Sequence, residues 1–368
     1  MSAEKKYTVQ SKNEESASNN KSRFNVVEGT RGAFKKDYKS KLKEMLLLLY
    51  SSMSLLVLWY FLLYIFINNN LLGSVNVSAC NALNGKIDTV PVNTFTYDPS
   101  VYSTFKVDSL KNLITLKSAI TITQSNTTTA TNATVNVRIA STKPEDASIN
   151  AAPESSDTYV LSIIRSAIDD KWGWTTYLSV PGRCVISHVE VILPQVLSKA
   201  TAVETDNYDI VVAGHPVPYT TEFRTSTFNG DIYIQDLSAK AIKLKSTNGD
   251  VKSNNLNAAS ATFESTNGDI SVSKLMNLES SLSASTTNGD ITMGVNIKTA
   301  QQPTISATSS NGDVTLDFGS TFSGTYSLST TNGDVKTSDG TNKKAGSVGK
   351  GASNLNVQTT NGDITITF

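Results

Sequence analysis

The sequence predicts an all-β protein whose C-terminal half is a parallel β-helix, a solenoid of about eight coils. The prediction includes one transmembrane α-helix before the β-rich region. Three observations lead to it: the tripeptide Asn-Gly-Asp recurs seven times, the residues around it alternate between apolar and polar, and an uncharged apolar stretch lies near the N-terminus of the 368-residue chain. A fixed motif with a period near 20 residues is typical of solenoid repeats.

The repeat unit is a strand, a tight corner and a second strand. Apolar residues stand four positions before six of the seven motif asparagines, as at Leu244 and Phe263, and three positions after all seven, as at Val251 and Ile270. This period of two indicates strands with one buried face. Asn and Gly both tolerate positive φ and are expected to supply the corner. The motif begins at Asn229, Asn248, Asn267, Asn288, Asn311, Asn332 and Asn361.

Parallel stacking explains the repeat better than a series of hairpins does. Asn-Gly is also a common hairpin turn, but successive hairpins would not keep the same buried positions over seven copies. One coil cannot bury its apolar face alone, so stacked coils form the core. We expect this domain over residues 185–368, with a degenerate first coil in which Tyr208 replaces Gly.

The N-terminal region predicts a membrane anchor. Residues 1–44 are polar, which predicts a disordered tail. Residues 45–67 carry no charge and are long enough to cross a bilayer as a helix, a buried core helix being the alternative. Lys and Arg precede this stretch, so the N-terminus is expected in the cytoplasm and the C-terminal domain outside or in a lumen. Residues 68–100 are expected to form a stalk.

The region after the anchor carries marks of the secretory pathway. Three N-glycosylation sequons follow the apolar stretch, at Asn76, Asn126 and Asn132. The two cysteines, Cys80 and Cys184, are expected to pair in an oxidising compartment. Two free or intermolecular thiols are the alternative.

Residues 101–184 are β-rich without the repeat and are expected to cap the first coil. They contain an aromatic cluster of Trp172, Trp174 and Tyr177. Exposed aromatic faces bind sugar rings or anchor protein interfaces, whereas buried ones would plug the end of the solenoid. Both interpretations stay open.

The motif aspartates would stack in one ladder, where like charges about 5 Å apart repel. We expect a structural corner; the alternative is a calcium ladder, although one Asp per coil offers few of the six to eight oxygens that calcium takes. No other metal or cofactor is expected. The ladder consists of Asp231, Asp250, Asp269, Asp290, Asp313, Asp334 and Asp363.

The sequence indicates neither nucleic-acid binding nor catalysis. The chain has 32 basic and 32 acidic residues, so net charge makes no case for nucleic-acid binding. His188 and His215 lack a catalytic setting, and no nucleophile, zinc or phosphate-loop motif is present. We therefore do not expect an enzyme.

The repeat resembles the "putative adhesin" β-helix family of bacteria and fungi. Residues 247–251, Thr-Asn-Gly-Asp-Val, and the strand 190–194, which ends in Pro, carry the resemblance over about residues 185–368. The family name implies surface adhesion without an established set of functional residues. The anchor and sequons resemble a eukaryotic, fungal member.

These observations predict a non-catalytic, adhesin-like, single-pass membrane protein of the plasma membrane or secretory pathway. Its expected partners are the bilayer, through residues 45–67, and a carbohydrate or cell-surface protein. The alternatives are a carbohydrate-active β-helix enzyme and a structural envelope protein without a ligand. The chain ends inside the pattern at Phe368 without a visible cap, and homo-oligomers are expected through the open edge of this C-terminal strand.

Overall fold

The computed structural model describes residues 86–108, 118–141, 148–164, 185–214, 218–338, 340 and 342–368. All of them lie in one compact unit, Asn69–Phe368. Their regular structure is β-strand, apart from a 3-10 helix at Ile87–Thr89. Within these ranges no helix is long and apolar enough to span a membrane.

Several predictions concern residues outside this described part. They are the tail, the transmembrane helix, the stalk before residue 86, Asn76, Cys80, Cys184, Trp172, Trp174, Tyr177 and His215.

The described residues form 22 strands. In chain order they are β1 (Asn93–Tyr97), β2 (Thr104–Asp108), β3 (Ala119–Gln124), β4 (Ala133–Ser141), β5 (Ser148–Pro153), β6 (Thr158–Ile164), β7 (Val185–Leu193), β8 (Thr201–Thr205), β9 (Asp209–Val212), β10 (Tyr219–Asn229), β11 (Ile232–Asn248), β12 (Val251–Glu264), β13 (Ile270–Leu278), β14 (Ser281–Asn288), β15 (Ile291–Ile297), β16 (Thr304–Asn311), β17 (Val314–Asp317), β18 (Gly324–Asn332), β19 (Val335–Thr337), β20 (Ala345–Val348), β21 (Ser353–Asn361) and β22 (Ile364–Thr367).

The repeats pair in parallel with their corners aligned, as the motif spacing predicted. Asn229 is in register with Asn248, and Asn288 with Asn311. Isolated parallel bridges join Asn267 to both Asn248 and Asn288. Strands before a corner pair with strands before a corner, as β12 with β14, and strands after it pair likewise, as β13 with β15.

The core consists of aligned columns of inward side chains. Leu244, Phe263 and Ala284 are in register and at most 1% exposed. A large ring thus lies beside a small methyl group, which lets neighbouring coils interdigitate. Full burial of each large side chain stabilises the fold by about 1.5–3 kcal/mol. The column after the corner, which includes Val251 and Ile270, is also buried, as predicted.

The parallel ladder does not begin at residue 185. Strands β2 and β3 pair in parallel with β8 and β9 on one side and with β6 and β7 on the other. Strands β6 and β7 therefore lie at the outer end of the parallel ladder, although they follow β2 and β3 in the chain. Strands β1, β4 and β5 add antiparallel pairings, namely β1–β4, β4–β7 and β5–β6.

The prediction that the C-terminal strand leaves an open edge is wrong. Strand β21 pairs with β16 on one side and β18 on the other, and β22 lies likewise between β17 and β19. The last coil is thus inserted between two earlier ones. The chain returns through residues 338–352, where β20 pairs antiparallel with β18. An oligomer through β22 would need an edge that its two neighbours already occupy.

An aromatic cluster covers this end of the core, where the sequence showed no cap. The ring of Phe368 lies 5.2 Å from that of Phe322 and 5.1 Å from that of Tyr326, measured between centroids. Phe318 joins the cluster and is 2% exposed. These residues come from separate turns of the chain, so their proximity depends on the inserted last coil.

Candidate functional site

A buried hydroxyl explains the Ser or Thr two residues before each motif Asn. The hydroxyl of Ser265 donates to the carbonyl oxygen of Gly249 at 3.0 Å, and that of Thr286 to Gly268 at 3.0 Å. Ser265 is 7% exposed and Thr286 is 5% exposed. A buried carbonyl needs a hydrogen-bond partner. The hydroxyl thus joins each coil to the one before it.

The Asn and Asp of the motif form two further ladders. Asn267 Nδ2 donates to Asn248 Oδ1 at 2.8 Å. The backbone N–H of Asp269 donates to Asp250 Oδ1 at 2.8 Å, and the same bond recurs at each stacked corner. Each of these carboxylates, except that of the outermost Asp334, therefore accepts a hydrogen bond from the next coil. This bond offsets the repulsion between neighbouring like charges. The ladder runs through Asp209, Asp231, Asp250, Asp269, Asp290, Asp313, Asp363 and Asp334.

At Asp363 the corner bonds favour the ionised carboxylate. The backbone N–H of Asp334 and the ammonium of Lys336 hold the pKa of Asp363 below its usual range, against a smaller effect of burial. Within the described ranges no group of three or more His, Cys, Asp or Glu side chains is placed to hold a metal ion. The calcium ladder stays an untested prediction, but one oxygen of each stacked carboxylate below the outermost corner already accepts an N–H.

The motif glycine is required by close approach. A Cβ on Gly268 would lie 2.2 Å from the carbonyl oxygen of Gly249, well inside contact distance. The motif Asn residues, all of them described, do not adopt positive φ. The motif Asn therefore does not supply the corner through a positive φ, and that prediction is wrong. The second bend of a coil takes left-handed residues instead, such as Asp236 and Asn255.

At the first coil, the corner has a residue other than glycine, as its sequence predicted. Tyr208 takes the glycine position and its carbonyl accepts the hydroxyl of Thr227 at 3.1 Å. The ring is 1% exposed and its hydroxyl lies 2.6 Å from Ser187 Oγ. Burial raises the pKa of Tyr208 to about 12, against the smaller effect of the Ser187 hydrogen bond.

One outward surface consists only of neutral hydrogen-bonding side chains. We call it the neutral face and define it by the outward residues of β14, β16, β21 and β18. The four strands are adjacent and in register. Its side chains stand about 4.8 Å apart across strands and about 6.6 Å apart along them. They are Ser281, Ser283, Ser285, Thr287, Thr304, Ser306, Thr308, Ser310, Asn354, Asn356, Gln358, Thr360, Thr325, Ser327, Ser329 and Thr331.

Charged side chains lie on the neighbouring strands β10, β11 and β12 of the same sheet, and Glu264 of β12 is in register with Ser285 of the neutral face. Glu222 Oε2 lies 2.7 Å from Arg224 Nη2, and Glu222 Oε1 lies 2.8 Å from Lys243 Nζ. Lys245 and Glu264 pair at 3.2 Å. The sequence shows a region rich in Ser and Thr, but the extent of the neutral face depends on β21 lying between β16 and β18.

Glu222 is expected to make stability depend on pH. The hydrogen bond from Arg224, aided by Lys243 and opposed by burial, lowers the pKa of Glu222 from 4.5 to about 2. A lowered pKa stabilises the fold above the unfolded value, and this contribution is lost as the pH falls from 4.5 toward about 2. We expect Glu222→Gln to lower the free energy of unfolding at pH 7 and to flatten its fall over that acidic range, measured by urea denaturation.

The matched control for Glu222 is Glu264→Gln. Its ion pair with Lys245 joins side chains that are 44% and 62% exposed, and exposed pairs contribute little. An equal loss of stability and an equal flattening in both variants would contradict the role assigned to Glu222.

The remaining predicted site residues are dispersed. Asn126 and Asn132 are exposed in the connection between β3 and β4. His188 lies on β7 with Nε2 3.4 Å from Thr121 Oγ1. The structure does not bring His188 together with the motif aspartates or with either sequon into one constellation.

Comparison with known proteins identifies a family. The family model described as Toastrack DUF4097 matches residues 114–367. No curated protein matches the chain.

Three solved structures resemble the chain. A putative adhesin from Bacteroides fragilis NCTC 9343 has 13% identity and a TM-score of 0.42, covering 76% of this chain and 97% of that one. A putative adhesin from Parabacteroides distasonis ATCC 8503 has 14% identity and a TM-score of 0.42, with 75% and 97% covered. A putative cell adhesion protein from Clostridium sporogenes ATCC 15579 has 9% identity and a TM-score of 0.26, with 75% and 98% covered. Similarity at this level carries no argument about activity.

Proposed function

We propose that this chain, which belongs to the Toastrack DUF4097 family, is a non-catalytic, adhesin-like protein that binds neutral carbohydrate through the neutral face. In this proposal residues 185–368 form a parallel β-helix, joined at its start by β2, β3, β6 and β7. Residues 45–67 anchor it in the bilayer, with the N-terminus in the cytoplasm and the β-rich region at the cell surface or in a secretory lumen. Glycans on Asn76, Asn126 and Asn132 and a Cys80–Cys184 disulfide belong to the same proposal.

The observation that carries the proposal is the uncharged, regular array of the neutral face. Hydroxyl and amide groups both donate and accept hydrogen bonds, as the hydroxyls of a neutral sugar do. Because the face has no charge, a neutral polymer would not have to displace an ion pair to bind it. An ionic partner would find no opposite charge there.

The rigidity of the face favours binding. Its side chains are mostly Ser and Thr, which lose little rotamer freedom when they are held. The inner strands β16 and β21 are each paired on both sides. A pre-ordered surface lowers the entropic cost of association, so many weak hydrogen bonds can add up to specific binding.

The same composition argues against catalysis on this face. Glycoside hydrolysis needs a pair of carboxylates, and the residues of the neutral face, all of them described, include no carboxylate. The repeated aspartates lie at the corner, where most of them accept backbone N–H groups from the adjacent coil.

The experiment is binding of the full-length chain, in detergent, to a glycan array and to insoluble neutral polysaccharides. The test variant is Ser306→Lys/Asn356→Lys, which places two charges in register on the neutral face. The matched control is Thr292→Lys/Thr315→Lys, which adds the same charges in register on another outward surface. We expect the wild type and the control to bind, and the test variant to lose binding about tenfold or more, at 1.4 kcal/mol per tenfold.

Two other results would overturn the proposal. Equal binding by both lysine variants would exclude the neutral face as the contact surface. Lack of binding by the wild type would favour a structural role. A folded Trp172→Ala/Trp174→Ala variant that loses binding, beside a lysine variant that keeps it, would place the site at the predicted aromatic platform instead.

A further inference from the structure

Asn-Gly is a chemically labile dipeptide. The backbone nitrogen of Gly, after losing its proton, attacks Cγ of the Asn side chain. The bond from Cγ to the side-chain nitrogen breaks and ammonia leaves, so that a cyclic succinimide remains. Water then opens the ring to give aspartate or isoaspartate. The reaction needs a Gly N–H that is free and an Asn side chain that can turn toward it.

The stack holds the reacting groups of the inner corners. The N–H of Gly289 donates to the carbonyl of Asn311 at 2.9 Å, and the N–H of Gly312 donates to that of Asn361 at 2.9 Å. The Asn side chain is bonded at both ends: Asn288 Nδ2 donates to Asn267 at 2.7 Å, and its Oδ1 accepts from Asn311 at 2.8 Å. Six motif asparagines have both of these side-chain bonds.

The seventh corner is different because of the order of the coils. Asn332 Nδ2 donates to Asn361 Oδ1 at 2.7 Å, but no described residue forms a coil beyond Asn332 to donate to its own Oδ1. At four inner corners, those of Gly268, Gly289, Gly312 and Gly362, the Gly N–H donates to the Asn carbonyl of the next coil. For Gly333 this direction leads to the outer side of β18, where β20 pairs with Gly324–Ser327 and stops short of Asn332. Gly333 is also the only one of the seven motif glycines, all described, that is exposed.

We propose that Asn332 is a site of spontaneous deamidation in the folded protein and that stacking protects the other six motif asparagines. The product loses the bond from Asn332 Nδ2 to Asn361 and gains a negative charge beside Thr331, at the rim of the neutral face. An isoaspartate adds a methylene group to the backbone of the outermost corner. The site arises from its position in the fold, since all seven tripeptides are identical.

The test is peptide mapping by mass spectrometry of the full-length protein after incubation at mildly alkaline pH. Conversion of each Asn-Gly to aspartate or isoaspartate is followed in time, in buffer and in concentrated urea. In buffer we expect Asn332 to convert at least about tenfold faster than any inner corner, because an inner corner reacts only after local opening. In urea we expect all seven to convert at comparable rates.

The comparison with urea separates protection by the fold from local sequence effects. Equal rates for Asn332 and the inner corners in buffer would overturn the proposal, and so would the same preference for Asn332 in urea. The variant Asn332→Ser identifies the mapped peptide and should abolish only that signal. Asn84–Gly85 lies outside the described residues and is scored separately.

Discussion

Replacing Gly268 by alanine is expected to lower the free energy of unfolding by about 3–5 kcal/mol, in the range of severe core changes. The new Cβ would lie 2.2 Å from the carbonyl oxygen and 2.5 Å from the carbonyl carbon of Gly249. Both are backbone atoms, so no flexible side chain can move aside. The corner would have to separate from its neighbour, which would also strain the Ser, Asn and Asp bonds on either side.

The control is Gly319→Ala. Gly319 has a φ of +54°, yet an added Cβ would meet nothing within 4 Å. It therefore carries the conformational cost without the close approach, and we expect a loss of about 1 kcal/mol. Urea denaturation of both variants measures the difference. A loss at Gly268 no larger than that at Gly319 would show that the corner adapts and that close approach does not select glycine.

The position of the last coil between two earlier ones predicts which pairs of engineered cysteines form a disulfide and which do not. Strand β21 lies between β16 and β18, so Ser306 and Ser327 are both in register with Asn356. Neighbouring strands are about 4.8 Å apart, which suits a disulfide, whereas strands two places apart are separated by about 9.6 Å and exceed the limit of about 7 Å. We expect Ser306→Cys/Asn356→Cys and Asn356→Cys/Ser327→Cys to cross-link under mild oxidation.

The decisive variant is Ser306→Cys/Ser327→Cys. We expect it to remain reduced, because β21 separates the two strands. If the coils followed one another in chain order, this pair would be adjacent and would cross-link while Ser306 and Asn356 would not. Peptide mapping identifies each cross-link, and Cys80 and Cys184 are the same in all three variants.

The repeat unit was readable from the sequence because its pattern is local. Alternation of period two around each Asn-Gly-Asp predicts two strands with one buried face, and constant spacing predicts that corners stack in parallel. Phe263 and Ile270 were expected in the core and are fully buried. The reason for the glycine was not readable, since the sequence shows only that Gly recurs and not that another backbone lies 2.2 Å away.

The sequence by itself determined the all-β class, the parallel register, the buried columns and the aspartate ladder, because each depends on residues within one coil and on the same residues in the next. Only the tertiary structure decided the order of the coils, and with it the extent of the neutral face, the aromatic cover at Phe368 and the exposure of Asn332. The physical reason is that every coil presents nearly the same apolar columns and the same corner bonds to its neighbour. Local pattern therefore does not distinguish one neighbour from another, and the connection through residues 338–352 lets the last coil enter between two others.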